Sequence, residues 1–91
     1  MASYEKDLDD ILKRLRRIEG QVRGLQRMVS EGQYCVDVLT QISSVRRATE
    51  QVALIVLRDH IRGCVQESFT DGDPEQSIEE LVEAVERFLK T

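Results

Sequence analysis

The stretch that decides the fold is residues 33–69, QYCVDVLTQISSVRRATEQVALIVLRDHIRGCVQESF. It contains no Pro and a single Gly, and apolar side chains recur along it at helical spacing, at Val38, Ile42, Val45, Val52 and Val56. One helix over this stretch would be roughly 55 Å long, which a 91-residue chain cannot cover by itself. A break near Ser43 and Ser44 is the alternative interpretation, although no turn-forming residue lies there.

A second helix is predicted before the long one, over about residues 5–30. Its apolar residues alternate four and three positions apart on one stripe: Ile11, Leu15, Ile18, Val22, Leu25 and Val29. Gly32 then ends the helix, because glycine readily adopts the left-handed conformation found after helix C-termini. Gly20 and Gly24 lie inside the helix at a cost of about 1 kcal/mol each relative to Ala, which close packing against a neighbouring helix would explain.

A third helix is predicted over residues 74–90. Asp73 suits the N-cap, Pro74 the first helical position, and Gln76 the position that completes a capping box. The chain is therefore predicted to be one all-α domain spanning residues 1–91, without internal repeats or linkers. Because so small a domain is only marginally stable alone, we expect it to oligomerise.

Composition narrows the class of protein further. No signal sequence opens the chain and the longest apolar run, residues 52–57, is too short to cross a bilayer, so a cytoplasmic protein without membrane contact is expected. In that reducing compartment the two cysteines are expected to be thiols with metal or redox chemistry. No nucleophile signature, phosphate-binding glycine loop or HExxH motif is present, which predicts that the protein is not an enzyme.

The two cysteines and the single histidine predict a metal site shared between subunits. His60 and Cys64 are four residues apart, so they project from one helix face and can chelate one ion. Cys35 precedes His60 by 25 residues, roughly 38 Å along a helix, and cannot reach them within its own chain. Antiparallel pairing of two copies about a two-fold axis near Ala48 and Thr49 would bring Cys35 of one copy beside His60 and Cys64 of the other.

Two thiolates and one imidazole suit copper(I) better than zinc, whose structural sites normally take four ligands. Zinc fits if a carboxylate or water completes a tetrahedron, and nickel or cobalt would require further nitrogen ligands. Three other readings stay open: each cysteine serves only in packing, Cys35 and Cys64 form a disulfide or persulfide-derived bridge, or the protein is a copper carrier. Tyr34, beside Cys35, and Glu80, in the third helix, are candidates for hydrogen bonding to the ligands.

Three segments resemble the copper-sensitive operon repressors of the CsoR/RcnR group: RLRRIEGQVRGLQRMV (residues 14–29), YCVDVLTQISSV (34–45) and DHIRGCV (59–65). The resemblance implies a dimer built as an antiparallel four-helix bundle, paired into a homotetramer, which binds operator DNA when metal-free and releases it on binding copper(I). By position, the resemblance assigns Cys35, His60 and Cys64 as copper ligands, and Tyr34 and Glu80 as their hydrogen-bonding partners.

The same resemblance separates this chain from other sensors of the group. Nickel and cobalt sensors usually carry a histidine near the N-terminus, where this chain has Ser3. Formaldehyde sensors typically lack a cysteine at the position of Cys64, and persulfide sensors typically lack a histidine at that of His60. A nickel or cobalt sensor, or a thiol-based sensor of persulfides or oxidants, is the alternative function.

The resemblance also gives meaning to the basic residues of an acidic chain, whose net charge is −4. Repressors of this group have no helix-turn-helix and use positive surface from the first two helices of the tetramer. The candidate DNA-binding residues, called the arginine set below, are Arg14, Arg16, Arg17, Arg23, Arg46 and Arg47. Arg16 and Arg23 form structural ion pairs with neighbouring acids in the alternative reading.

Overall fold

The computed structural model describes residues 4–65 and 72–90, apart from the side chains of residues 64 and 65. Helix α1 (Leu8–Ser30) follows a single 3₁₀ turn, Glu5–Asp7. Helix α2 (Cys35–His60) continues into a π-helical turn, Ile61–Val65, and helix α3 is Pro74–Lys90. The described residues contain no strand, so the predicted all-α fold with three helices is confirmed. Residues 66–69, also assigned to the long helix, lie outside the described part.

Helix α2 runs without a break through Ser43 and Ser44, which excludes the interrupted alternative. Thr40 and Thr49 each turn the hydroxyl back onto the carbonyl four residues earlier, at 2.8 Å, so these polar side chains are satisfied within the helix. The helix therefore holds Cys35 and His60 at its two opposite ends.

The turn between α1 and α2 is built on Gly32, whose φ is +68°. Its amide donates to the Val29 carbonyl at 3.1 Å, and the Gln33 amide donates to the Met28 carbonyl at 3.0 Å. This is the Schellman pattern, in which a left-handed residue lets the chain satisfy the last carbonyls of a helix and change direction. The start of α1 consequently lies beside the end of α2 in an antiparallel hairpin.

The start of α3 follows the capping rule on one side only. The Gln76 amide donates to Asp73 Oδ1 at 3.2 Å, as expected of an aspartate N-cap. In the described part of the structure the Gln76 side-chain oxygen accepts no bond from the Asp73 amide, and its nitrogen donates to Glu80 Oε1 at 3.2 Å. The second half of the predicted capping box is therefore absent.

The α1–α2 hairpin is held by complementary stripes in which residues recur three and four positions apart. Ile11 and Val52, 5% and 8% exposed, are the only apolar residues among those described that are fully buried. The α1 stripe is Ile11, Arg14, Ile18, Gln21, Leu25 and Met28, and the α2 stripe is Val38, Gln41, Val45, Ala48, Val52, Ile55 and Asp59.

Half of the stripe predicted for α1 faces away from α2. Leu8, Leu15, Val22 and Val29, called the open stripe below, recur every seven residues and are between 38% and 62% exposed. The predicted stripe thus divides into one face that packs against α2 and a second face that a single chain leaves exposed. Cβ atoms placed on Gly20 and Gly24 would meet nothing within 4 Å, so these glycines serve no close contact inside the described chain.

The chain is a flat layer with principal extents of 55 × 28 × 13 Å. Since an α-helix with its side chains is about 10 Å across, the thickness is that of one layer of helices. No helix of the described residues is long and apolar enough to span a membrane.

Candidate metal centre

Cys35 is the first residue of α2, and its side chain is exposed. The preceding turn presents it, because Tyr34 leaves helical geometry at ψ 135° while its carbonyl accepts the Asp37 and Val38 amides at 3.0 and 3.1 Å. Cys35 is therefore displayed on a well-formed helix start as an exposed thiol outside any disulfide.

His60 is the last residue of α2 and is half-buried. The backbone of Cys64 lies in the π-helical turn that follows, whereas its side chain lies outside the described part of the structure. Cys35 and His60 are 25 residues apart on one uninterrupted helix, which places them roughly 38 Å apart along its axis. Within the described residues of a single chain, no three His, Cys, Asp or Glu side chains come together as a metal site.

In the described part of a single chain, neither proposed partner makes a side-chain hydrogen bond to Cys35 or His60. Tyr34 is 69% exposed, and its side chain makes no capping hydrogen bond. Glu80 lies on α3, where it accepts the hydrogen bond from Gln76. Neither arrangement tests their proposed role, which concerns an assembled site.

An aspartate that sequence reasoning missed lies directly before His60. Asp59 is 2% exposed and is the only buried charged residue among those described. Its Oδ1 is 3.8 Å from the Lys6 ammonium, and its Oδ2 has no hydrogen-bond partner. It continues the α2 stripe four residues after Ile55, so the three-and-four spacing carried a signal for its burial.

The carboxyl of Asp7 lies against Asp59. A hydrogen bond to Asp59 is the main cause that raises the pKa of Asp7 above 3.8, and burial and the Asp59 charge add to it, while Lys6 and Arg62 oppose it. Two ionised carboxylates are both acceptors, so this bond exists only while Asp7 carries a proton. When Asp7 is ionised, Asp59 Oδ2 has no donor.

The arginine set divides into paired and unpaired members. Arg14, Arg23 and Arg46 form ion pairs one helical turn away, with Asp10 at 3.1 Å, Glu19 at 3.3 Å and Glu50 at 3.8 Å. In the described part of the chain, Arg16, Arg17 and Arg47 are exposed and have no ion-pair partner. Exposed intrahelical pairs of this kind contribute only about 0.3–0.5 kcal/mol each and exchange readily for phosphate contacts.

The sequence profile of the metal-sensitive transcriptional repressor family matches residues 7–87. The chain is 50% identical over 86 residues to the copper-sensing transcriptional repressor CsoR of Bacillus subtilis (strain 168), covering 94% of this chain and 85% of that protein.

Two solved structures are also similar to this chain. The copper-sensing repressor CsoR with Cu(I) from Geobacillus thermodenitrificans NG80-2 superposes with a TM-score of 0.87 at 42% identity, over 93% of this chain and 88% of that one. The nickel-responsive transcriptional regulator InrS superposes with a TM-score of 0.78 at 42% identity, over 89% and 91%.

Proposed function

The chain belongs to the metal-sensitive transcriptional repressor family, a class of non-enzymatic regulators, and from that membership we propose that it is a copper(I)-responsive repressor. In this proposal it binds operator DNA in the cytoplasm when metal-free and releases the DNA on taking up copper(I). The copper-sensing relative at 50% identity and the similarity to a Cu(I)-bound repressor support the choice of copper.

The proposed ligands are Cys35 of one subunit and His60 with Cys64 of another. The observation that carries this proposal is the unbroken α2 helix, which keeps Cys35 and His60 of the same chain at its two opposite ends. Two thiols and an imidazole suit a soft monovalent ion, and copper(I) supplies a bond that joins the two subunits when it is bound. Such a site links metal uptake to quaternary structure.

The open stripe supports the assembly that such a site requires. Leu8, Leu15, Val22 and Val29 repeat every seven residues on one face of α1, the pattern by which helices pack side by side in bundles. Covering this face with the hairpin of a second copy gives an antiparallel four-helix-bundle dimer, and two dimers give the proposed homotetramer.

The arginine set is the proposed DNA contact. Its members lie on α1 and the middle of α2. Among the residues that the structure describes, Arg16, Arg17 and Arg47 have no ion pair to break before they meet a phosphate. Contacts of this kind release counterions from DNA, so operator affinity is expected to fall steeply with salt and each removed contact to lower the salt slope by about 1.

Tyr34 and Glu80 are proposed to hydrogen-bond the ligands once subunits assemble. Tyr34 stands next to Cys35 and is 69% exposed, and Glu80 is a carboxylate of the kind that accepts from the ring N–H of a metal-bound histidine. Glu80 already accepts one bond from Gln76 through Oε1, and its second carboxylate oxygen can accept the imidazole N–H without disturbing that bond.

The test uses a labelled DNA duplex selected from a random-sequence pool by the metal-free protein. Fluorescence anisotropy under anaerobic conditions then gives duplex affinity with and without copper(I). We expect copper(I) to weaken binding by at least about tenfold, within the usual range of coupling between two sites. Failure to select any duplex, or equal affinities in both conditions, would end the proposal.

A nickel sensor is the second candidate, favoured by the similarity to InrS. Titration of the same complex with nickel(II) separates the two candidates. If nickel(II) releases the DNA at a lower free metal concentration than copper(I) does, the protein is a nickel sensor. X-ray absorption of the loaded protein should count two sulfur ligands and one nitrogen ligand. A covalent mass change accompanying DNA release would instead identify a thiol-based sensor.

A further inference from the structure

A polar cavity lies where the start of the chain touches the end of α2, and its lining includes seven charged residues: Lys6, Asp7, Asp10, Arg14, Arg58, Asp59 and Arg62. Arg14 pairs with Asp10, and four of the others act on one another. Lys6 and Asp7, in the 3₁₀ turn before α1, line this cavity of 490 Å³ with Asp59 and Arg62. Asp59 pairs with Lys6 at 3.8 Å and lies within hydrogen-bonding reach of Asp7, while Lys6 and Arg62 act on the Asp7 carboxyl through their charges. We call these four residues the end cluster.

The burial of Asp59 is expensive for a structural contact. An ionised carboxylate with 2% exposure has lost nearly all its water, and its compensation is one long ion pair to Lys6, which is itself 58% exposed. The second oxygen, Oδ2, has no partner. An apolar residue would continue the α2 stripe after Val52 and Ile55 at a lower cost, so stability alone does not account for this side chain.

The position of Asp59 in the chain explains the burial of its carboxylate better than stability does. It immediately precedes His60, and Arg62 lies between His60 and Cys64, so two members of the end cluster belong to the ligand-bearing segment. Lys6 and Asp7 directly precede α1, the helix that carries most of the arginine set. The end cluster therefore joins the backbone of the proposed metal site to the proposed DNA-binding helix.

We propose that Asp59 is a positioning residue that transmits the metal state of the His60 segment to α1 through its ion pair with Lys6. The inference rests on the proposed function and adds the route by which metal uptake reaches the DNA-binding surface. Any rotation of the last turn of α2 moves the Asp59 carboxylate. The Lys6 ammonium then either moves with the carboxylate or the ion pair breaks. The unpartnered Oδ2 leaves room for a second arrangement in which Arg62 supplies the missing donor.

Two states that differ in this contact are what coupling between sites requires. In one, Asp59 holds the 3₁₀ turn against α2 through Lys6. In the other, Asp59 turns to Arg62 and the start of α1 is released. Because α1 is a continuous helix from Leu8 to Ser30, a change in how its first turn is seated is carried along its length to the arginines.

The experiment compares the copper-induced loss of duplex affinity in wild type, Lys6→Gln, Lys6→Arg and Asp59→Asn. We expect Lys6→Gln and Asp59→Asn to reduce this copper effect by at least about threefold, and Lys6→Arg to restore it because the ion pair is kept. The double variant Lys6→Gln/Asp59→Asn should lose no more than either single variant. Lys13→Gln removes an exposed α1 cation outside the end cluster and the arginine set, so it controls for lost charge and should retain the copper effect.

Hydrogen exchange of the metal-free protein gives a readout that needs no copper. Amides of residues 4–11 should exchange faster in Lys6→Gln and Asp59→Asn than in wild type, and at the wild-type rate in Lys6→Arg. If Asp59→Asn fails to fold, Lys6→Gln carries the test alone, since Lys6 is largely exposed.

The outcomes separate this inference from the proposed function. A copper effect in wild type that is unchanged in Lys6→Gln overturns the Asp59 route and leaves the repressor proposal standing. A reduced effect that Lys6→Arg does not restore also overturns it, since the ion pair would then not be the cause. No copper effect in wild type removes the proposed function itself, whatever the variants do.

Discussion

The two ends of α2 carry the two halves of the proposed metal site, and they are built in opposite ways. At the first end, Cys35 and Tyr34 are exposed and are held in place by backbone hydrogen bonds of the preceding turn. At the second end, Asp59 is buried beneath the 3₁₀ turn and His60 is half-buried. In a single chain, the first end is open to solvent, while the second is packed against the 3₁₀ turn.

In the proposed symmetric assembly, each α2 would contribute its Cys35 end to one metal site and its His60 end to the other. The packed end keeps the His60 segment in a defined place before any partner arrives, which reduces the ordering cost of binding. In the proposed assembly the exposed end needs no pocket of its own, because a two-fold partner would supply the surroundings of Cys35. Breaking the two ends separately should therefore have different results.

The largest expected effect is on copper(I) affinity, when a ligand is removed from each end of α2 and the two variants are combined as different subunits of one dimer. Cys35→Ala and His60→Ala should each abolish tight copper(I) binding as pure proteins, by more than about 100-fold, because even residues that only support a ligand cost 10- to 100-fold. Mixed dimers of the two variants contain one site with all three ligands and one site with only Cys64. We expect one tight copper(I) per mixed dimer, measured by competition with a copper(I) chelator.

Differently tagged chains, co-expressed and purified through both tags, provide the mixed dimers. A mixture of the two separately purified variants, kept from exchanging subunits, serves as the control and should bind no copper(I) tightly. Mixed dimers without a tight site would show that each site is formed within one chain.

The second effect concerns the stability of the two ends. Ile11 is 5% exposed and lies on the α1 face that packs against α2, so Ile11→Ala should lower the free energy of unfolding by about 2–4 kcal/mol. Val36, beside Cys35, is 54% exposed, and Val36→Ala should change it by less than about 0.5 kcal/mol. Denaturant unfolding at one fixed protein concentration measures both. Equal losses would mean that the Cys35 end is as tightly packed as the other.

The third effect isolates the backbone that presents Cys35. Gly32 has φ +68°, which costs a residue with a Cβ about 1–2 kcal/mol, so Gly32→Ala should destabilise the protein by that amount. Gly20→Ala is the matched control, because Gly20 is helical and nothing lies within 4 Å of an added Cβ. It should stabilise the protein by about 0.5–1 kcal/mol. The opposite order of the two variants in thermal unfolding would contradict this account of the turn.

The smallest effect is the pH dependence of the packed end. Since the pKa of Asp7 is raised in the folded state, its ionisation costs stability as the pH rises above 3.8, and the cost stops growing once the pH passes the raised pKa. Asp7→Asn removes this cost and offers Asp59 an amide donor at every pH. Its thermal midpoint at pH 7 should exceed that of wild type, and the difference should shrink as the pH is lowered towards 3.8. A difference that grows on acidification would reverse the sign.

Much of the architecture could be predicted from the sequence because it depends on local chemistry. Gly32 and Asp73 act through hydrogen bonds to their own neighbours, and the structure has both as predicted. The apolar residues of α1 were predicted to share one face, yet Leu15 and Val22 belong to the open stripe and turn away from α2. Hydrophobic spacing predicts which positions are apolar on a helix face, but it does not predict which helix, if any, packs against each of them.

The parts that were missed depend on three-dimensional contacts. Asp59 stands in the segment RDH, which resembles an exposed polar helix end, and only its register with Val52 and Ile55 indicates a buried position. The π-helical turn Ile61–Val65 has no signature in a pattern read at 3.6 residues per turn. The proposed roles of Cys35, His60 and Cys64 stay predictions, since they require a second chain.

The 13 Å thickness of the layer has a consequence for the abundance of this protein. In the proposed assembly, a single layer of helices gains its remaining stability from association, so its folded fraction follows mass action. Each tenfold dilution of a dimer weakens it by about 1.4 kcal/mol, a large share of what a small domain possesses. Newly made chains that find no partner would be the first to unfold and be degraded, so the cell's stock of this protein would consist of assembled molecules.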